Sequence, residues 1–211
     1  LLGLPMQDEP EVFQIDAVDV ASGDIRLQRI TGLEAETVIS DLFTGFIAED
    51  MNFDGHTDFR IQEFGGSVNV PWLYFLFDPE SGRFTQTRLL DDIANPEFDA
   101  DVGVIRSSWR ESAVRYGTAV HAFESGSLVR LREEIQTYDQ EGSYHYTSGE
   151  RVEGDWVTAE GRGWETFLSR DLDGNGIEDY TLFDLRESRD GFAARLHITS
   201  DRGDSLWDHA W

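Results

Sequence analysis

Within this chain, the side chains that could do chemistry are arranged most regularly in residues 50–58. Oxygen-bearing side chains stand at the first, third, fifth and ninth positions of this stretch: Asp50, Asn52, Asp54 and Asp58. Oxygens at alternate positions converge only when the backbone curls around one point, and Gly55 at the sixth position permits that turn. Calcium prefers about six to eight oxygen ligands, whereas zinc prefers imidazole or thiolate groups. Loop 1 (residues 50–58) is therefore predicted to bind calcium.

The remaining positions of loop 1 distinguish it from an EF-hand. The carbonyl of His56 is the predicted backbone ligand, and Asp58 is expected to bind directly or through a water molecule. An EF-hand would place a bidentate glutamate at the twelfth position, where this chain has Ile61. Aromatic and β-branched residues flank the loop in a partly alternating pattern, which predicts a strand on each side. Loop 1 is therefore expected to close a β-hairpin.

A second stretch repeats this construction. Loop 2 (residues 171–179) aligns with loop 1 without a gap, at an offset of 121 residues from Asp50 to Asp171. Its predicted ligands are Asp171, Asp173, Asn175, the carbonyl of Ile177, and Asp179. For either loop the alternative is an acidic, glycine-containing turn that binds nothing, but repetition with matching apolar flanks argues against it. Two calcium ions are expected.

The charge of the chain restricts the partners that it could bind. Its 42 acidic residues outnumber 17 basic ones, all of them arginine, and the formal net charge is −25. Such a field repels phosphate backbones and anionic membrane surfaces and attracts divalent cations or a basic protein. Nucleic-acid binding is therefore disfavoured, although a salt-rich habitat or codon bias would also produce the acidity. The absence of cysteine excludes disulfides and thiolate chemistry.

The hydrophobic pattern predicts an all-β fold of antiparallel hairpins and meanders. Ser-Gly pairs between apolar runs predict turns at residues 22–23, 81–82, 125–126 and 148–149. The offset between the two loops is close to three periods of about 40 to 45 residues, which are typical of propeller blades. Residues 1–10 are predicted to be a flexible lead-in, and residues 11–211 a single all-β domain. The expected architecture is β-propeller-like, with two calcium-binding hairpin loops.

The amino terminus and the overall hydrophobicity predict an exported protein. The chain begins at Leu1 instead of methionine, so we expect that a segment upstream has been removed. No apolar run approaches the length of a membrane span. A soluble protein in the periplasm, or one otherwise exported, is expected.

Two stretches are candidate contacts for a partner. Residues 139–154 are polar and contain glycine, which predicts a long exposed hairpin tip. Its aromatic side chains, Tyr144, His145 and Tyr146, either pack back on the sheet or contact a partner. The loop that leads through Ser67 to Trp72 is the second candidate contact. The apolar run from Trp72 to Phe77 is predicted to be a strand buried on both faces.

The sequence assigns no catalytic residue. The five histidines form no paired metal-binding or nucleophile-activating motif. A pair of carboxylates for glycoside hydrolysis could form from any of the 42 acidic residues, so their presence is uninformative. A carboxylate-based glycoside hydrolase therefore remains only a distant alternative, and the chain is predicted not to be an enzyme.

Three segments carry a resemblance to a known group of proteins. They are residues 50–59 (DMNFDGHTDF), 71–84 (PWLYFLFDPESGRF) and 94–99 (ANPEFD), together with residues 26–30 of the leading hairpin. These residues resemble periplasmic, lipoprotein-type immunity proteins that inhibit lysozyme-like effectors of bacteria-killing type IV secretion systems. The resemblance covers roughly residues 11–138.

The resemblance implies a calcium-binding, β-propeller-like inhibitor that plugs the cleft of a peptidoglycan hydrolase. It leaves room for a lipid anchor upstream of Leu1. Lysozyme-like enzymes tend to be basic, so an acidic inhibitor would associate with them quickly. The alternative is a calcium-stiffened structural or adhesive module of an exported surface protein.

Overall fold

The regular secondary structure consists of β-strands, which confirms the predicted all-β class. The computed structural model describes residues 11–19, 21, 25–36, 39–40, 43–63, 68–139, 142–170, 179–188, 191–199 and 205–210. Its first eight strands are β1 (Glu11–Asp19), β2 (Ile25–Glu36), β3 (Ile39–Ser40), β4 (Phe43–Thr44), β5 (Phe46–Glu49), β6 (Asp58–Gln62), β7 (Trp72–Asp78) and β8 (Arg83–Thr87). The others are β9 (Glu97–Asp99), β10 (Val104–Arg110), β11 (Arg115–Glu124), β12 (Ser127–Tyr138), β13 (Ser143–Val152), β14 (Asp155–Arg170), β15 (Asp179–Ser188), β16 (Gly191–Thr199) and β17 (Ser205–Ala210).

The strands form four sheets in sequential order. Strands β1 and β2 pair with each other, as do β3 and β4, while β5 to β8 make a four-stranded sheet and β9 to β17 a nine-stranded one. Contacts divide the chain into two compact units: unit 1 is residues 1–109 and 120–129, and unit 2 is residues 110–119 and 130–211. Strands β11 and β12 contribute to both units. The single domain expected from the sequence stays a prediction.

The described strands do not close into a barrel or a propeller. Strands β5 to β8 have the number of strands of one propeller blade, but the following sheet continues through nine strands. Tight turns explain this growth, because each one returns the next strand beside the last. Ser125 and Gly126 adopt φ angles of 51° and 78°, and Glu153 and Gly154 adopt 53° and 95°. The sheet therefore lengthens as a meander instead of ending after four strands.

The predicted Ser-Gly turns have different outcomes. The turns at residues 81–82 and 125–126 join β7 to β8 and β11 to β12, as expected. The turn at residues 22–23 lies outside the described residues. The prediction for residues 148–149 is wrong, because both residues lie within β13. A glycine occupies this strand position because the Trp156 ring lies over it: a Cβ on Gly149 would lie 2.5 Å from the indole ring.

Strand β7 is buried on both faces, as predicted, and organises the core of unit 1. One face carries Trp72 and Tyr74, and the other carries Phe75. The first cluster also contains Met51, Leu90, Ile93 and Ile105, and the second contains Leu33, Ala35, Phe59 and Ile61. Strand β6 lies beside β7 and is therefore buried along its whole length.

In addition to the core contacts of β2, one side chain of the β1–β2 hairpin forms hydrogen bonds with the edge of the four-stranded sheet. The Gln28 amide donates to the carbonyl of Phe84 at 2.8 Å, and its oxygen accepts the Phe84 amide at 2.7 Å. The side chain thus pairs with the backbone as a neighbouring strand would, and it occupies part of the exposed edge of β8. Among the described residues, no helix has the length and apolar character needed to cross a membrane.

Candidate metal loops and their surroundings

Both predicted loops close hairpins in the same register. Strand β5 pairs with β6 so that Glu49 lies opposite Asp58, and β14 pairs with β15 so that Arg170 lies opposite Asp179. The two connections, residues 50–57 and 171–178, therefore have equal length. The predicted ligands Asp171, Asp173, Asn175 and Ile177 lie outside the described residues. Asp179 is the first residue of β15.

Loop 1 curls around its own acidic side chains. The Asp50 carboxylate accepts the backbone amides of Asp54 at 3.2 Å and of Gly55 at 2.8 Å. The Asn52 side-chain oxygen also accepts the Asp54 amide, at 3.1 Å. Gly55 has a φ angle of 87°, which glycine adopts without the steric cost that a side chain would add. The sharp turn predicted at the sixth position is thus present.

Asp54 is the most exposed acidic residue of the loop. Its Oδ1 accepts the backbone amide of His56 at 2.8 Å and lies 3.1 Å from the ring Nδ1 of the same residue. Burial acts to raise the pKa of Asp54, but hydrogen bonds from His56 and from the Asn52 side chain outweigh it and lower that pKa. The carboxylate therefore keeps its charge to a lower pH than an ordinary aspartate.

Asp58 is fully buried and connects loop 1 to the core sheet. Its Oδ2 accepts the amide of Met51 at 2.9 Å, and its Oδ1 accepts the amide of Phe77 in β7 at 2.8 Å. Burial raises the pKa of Asp58 against these two hydrogen bonds, and the charges of Asp54 and Asp50 raise it further. The three carboxylates therefore repel one another, and a cation between them would relieve that repulsion.

The donor set of loop 1 fits a hard cation. The side-chain donors at its ligand positions are oxygen atoms, as calcium requires. Within the described part of the chain, no three histidine, cysteine or acidic side chains are grouped closely enough to hold a metal by themselves. A cation in loop 1 would therefore depend on the Asn52 amide oxygen and the His56 carbonyl as well as on the carboxylates.

Two apolar residues of loop 1 point into the core, and sequence reasoning missed them. Met51 is fully buried, and the ring of Phe53 packs on the rings of Phe98 and Phe123 at centroid distances of 6.5 Å and 6.3 Å. They alternate with Asp50, Asn52 and Asp54 along the loop. That alternation was the available signal, since apolar residues between ligand positions turn the opposite way.

An acidic concavity of about 490 Å³ lies beside β9. Its lining consists of Glu97, Phe98, Asp99, Ala100, Asp101 and Arg106. Arg106 forms an ion pair of 2.8 Å with Asp99, so the other two carboxylates give the concavity its negative charge. Such a site suits an ammonium or guanidinium group from a basic protein.

Trp72 and Ser67 were the second predicted partner contact. Trp72 is only 9% exposed, and the guanidinium of Arg60 lies over its ring at 4.6 Å. Trp72 lies in the core because β7 is covered on both faces, and its role as a partner contact stays a prediction. Ser67 lies outside the described residues.

The predicted hairpin tip at residues 139–154 is mostly the strand β13. Tyr144 is fully buried and Tyr146 is 8% exposed, whereas His145 on the opposite face is exposed. The prediction of an exposed hairpin tip is therefore wrong, because β13 pairs in register with β12 on one side and β14 on the other. Any partner role of these three residues stays a prediction, and His145 is the accessible one.

A network of ionisable groups surrounds the two buried tyrosines. The Tyr144 hydroxyl donates to Asp184, and Arg186 donates to the other oxygen of Asp184 at 2.7 Å and to Glu134 at 2.6 Å. Burial and the hydrogen bond to Asp184 both raise the pKa of Tyr144. Arg186 also lies over the rings of Tyr144 and Tyr146, at 5.9 Å and 5.3 Å. These contacts fix the two tyrosine side chains in place on this face of the sheet.

Comparisons with known proteins give one partial similarity. No protein-family model matches the chain, and no curated protein matches it significantly. The chain is similar to the solved structure of a Xanthomonas type IV secretion system related protein, with a TM-score of 0.45 and 15% sequence identity. The match covers 54% of this chain and 57% of that one, so it spans little more than half of that protein's length.

Proposed function

We propose that this chain is an exported bacterial protein that is stabilised by calcium and binds and inhibits a lysozyme-like peptidoglycan hydrolase. It acts by binding and performs no chemistry. The observation that best supports the calcium part is the curl of loop 1 around Asp50, with Asp58 buried beneath it. The net charge of −25 and the resemblance to immunity proteins support the inhibitor part. The finer architecture proposed is a set of hairpins held by two calcium loops.

Calcium would hold the hairpins in shape. Asp50, Asn52 and Asp54 would supply side-chain oxygens, and the His56 carbonyl would supply the backbone oxygen. Asp58 holds the loop against β7 through its two amide hydrogen bonds. A bound cation supplies the positive charge that the clustered carboxylates otherwise lack.

Calcium titration tests this assignment. We expect about two calcium ions to bind each chelator-stripped chain, and Asp50→Asn to remove one of them. At calcium concentrations about 100 times the Kd, each site adds about 2.7 kcal/mol to the free energy of unfolding. Isothermal titration and thermal melts measure both effects, and Asp92→Asn, which removes an exposed carboxylate elsewhere, is the matched control. Absence of heat together with an unchanged melt would refute the calcium part.

The partner is expected to be a basic hydrolase. Opposite net charges accelerate encounter, so the association rate should fall steeply as salt is added. The acidic concavity beside β9 is the candidate surface for this encounter, because Glu97 and Asp101 line it.

Kinetic binding to a basic lysozyme tests the partner assignment. We expect the wild type to block hydrolysis of peptidoglycan and the double variant Glu97→Gln, Asp101→Asn to associate several-fold more slowly. A double variant with the same change in charge, Glu153→Gln and Glu160→Gln, is the control. Equally slow association of the two variants would show that the net charge of the protein, and not the concavity, sets the association rate. A protein that binds calcium but inhibits no lysozyme-like enzyme would instead fit the structural or adhesive alternative.

A further inference from the structure

Phe53 combines an unfavourable backbone conformation with a fixed ring position. It is the fourth residue of loop 1, between Asn52 and Asp54, and its φ angle is 61°. A bulky residue in this left-handed region is strained, and it persists only when its surroundings enforce that conformation. Its ring packs edge-on against Phe98 at 6.5 Å and Phe123 at 6.3 Å. Core packing therefore holds the backbone that carries the metal-ligand positions.

Phe98 connects this packing to the acidic concavity. It is the middle residue of β9, and it lines the concavity together with Glu97 and Asp99. The backbone of loop 1 and the wall of the concavity are thus separated by a single ring contact, Phe53 to Phe98. Packed interiors transmit small displacements because they contain little empty space.

The sequence of loop 2 has no aromatic residue at the position of Phe53. Its fourth residue, at the position equivalent to Phe53, is Gly174. Glycine adopts left-handed φ angles at little cost and carries no ring. The calcium-loop pattern therefore does not require an aromatic residue at this position, and the presence of Phe53 in loop 1 needs another explanation.

We propose that Phe53 couples metal occupancy of loop 1 to the order of β9 and of the acidic concavity. The proposal rests on the calcium binding proposed above. A cation held by Asn52 and Asp54 restrains the backbone on both sides of Phe53. The ring then presses Phe98 into one position and so orders the strand that carries Glu97 and Asp99. Calcium prepares the acidic surface that meets a basic partner.

Amide hydrogen exchange of the full chain, with and without calcium, tests the coupling. In the wild type we expect calcium to slow exchange at residues 97–99 about tenfold. In Phe53→Gly the glycine tolerates the φ angle but the ring that anchors the loop is lost, so exchange of this variant is measured at a calcium concentration that saturates it. The calcium-dependent slowing at β9 should disappear. Phe98→Leu, which cuts the same contact from the other side, should give the same loss.

A matched control separates this coupling from general loss of packing. Phe46→Ala removes a ring that stacks on Phe59 in the other core cluster, and it should preserve the slowing at β9. Persistence of the slowing in both Phe53→Gly and Phe98→Leu would overturn the coupling, as would wild-type calcium binding without any slowing. If the wild type binds no calcium, the coupling and the calcium part of the proposed function fail together. The other two outcomes overturn the coupling alone.

Discussion

Replacing Arg60 with methionine is expected to lower the free energy of unfolding by about 3 kcal/mol. The Arg60 side chain is 8% exposed and forms an ion pair with Glu49 at 2.9 Å. Its guanidinium donates to the carbonyl of Pro96 at 3.1 Å and lies over the rings of Trp72 and Phe98, at 4.6 Å and 5.2 Å. Methionine fills a similar volume but leaves the Glu49 carboxylate without its counter-charge.

The loss of stability in Arg60→Met should depend on pH. Burial raises the pKa of Glu49, and the Arg60 charge acts in the opposite direction. Without Arg60 this pKa rises further. A carboxyl whose pKa is higher in the folded than in the unfolded state makes stability fall as the pH rises between those two values. The variant should therefore lose less stability near pH 4 than near pH 7.

Urea unfolding at the two pH values measures both effects. The control is Arg29→Met, which removes an exposed arginine that pairs with Asp16 at 2.7 Å. Exposed pairs contribute at most about 1 kcal/mol, so this change should be small. The double variant Arg60→Met, Glu49→Gln should recover part of the stability at pH 7, because no lone charge remains. A cost below about 1 kcal/mol for Arg60→Met would show that the pair is not important to the core.

Arg60 also illustrates why burial was harder to predict than strands. The partly alternating pattern correctly placed strands on both sides of loop 1, and the continuous apolar run correctly identified β7 as buried on both faces. Alternation assigns Phe59 and Ile61 to the core and Arg60, which lies between them, to solvent. Strand β6 is inner in its sheet, however, so Arg60 is buried on the opposite face among aromatic rings. That cover comes from residues distant in sequence, which a local pattern does not contain.

The glycines also show that a local sequence pattern does not reveal which residues pack against a position. A glycine in a polar stretch predicts a turn, and this was correct for Gly126, which joins β11 and β12 with a φ angle of 78°. Gly149, Gly161 and Gly163 lie instead inside strands beneath aromatic rings. A glycine in a turn and a glycine beneath an aromatic ring are both required because they lack a side chain. Only the pairing register distinguishes them, because it places Gly163 opposite Tyr144 and Gly161 opposite Tyr146.

The sequence predicted only those features of the candidate site that depend on residues close together in the chain. The proposed ligand positions of loop 1 come from spacing within one turn, and the equal register of the two hairpins agrees with the sequence repeat. Phe98 lines the acidic concavity, and its contact with Phe53 joins segments separated by more than forty residues. No periodicity connects these segments, because their proximity results from the packing of β9 against the loop.

Replacing Gly163 with alanine is expected to destabilise the chain by about 3 kcal/mol or more. A Cβ there would lie 2.1 Å from Cζ of Tyr144, well inside van der Waals contact. The ring cannot move away easily, because Tyr144 is fully buried and its hydroxyl donates to Asp184. Farther along the same strand, Ala159 is tolerated because its partner is the small residue Ser148.

A double-mutant cycle with Tyr144→Leu separates this clash from any intrinsic cost of alanine in β14. Tyr144→Leu alone should be destabilising, because Asp184 loses a buried hydrogen-bond donor. Adding Gly163→Ala to it should then cost less than about 1 kcal/mol, since the shorter side chain leaves room for a methyl group. The resulting coupling energy would be about 2 kcal/mol, typical of residues in direct contact. If the two substitutions are additive in urea unfolding, the ring does not lie over Gly163. The packing of β13 on β14 would then need a different explanation.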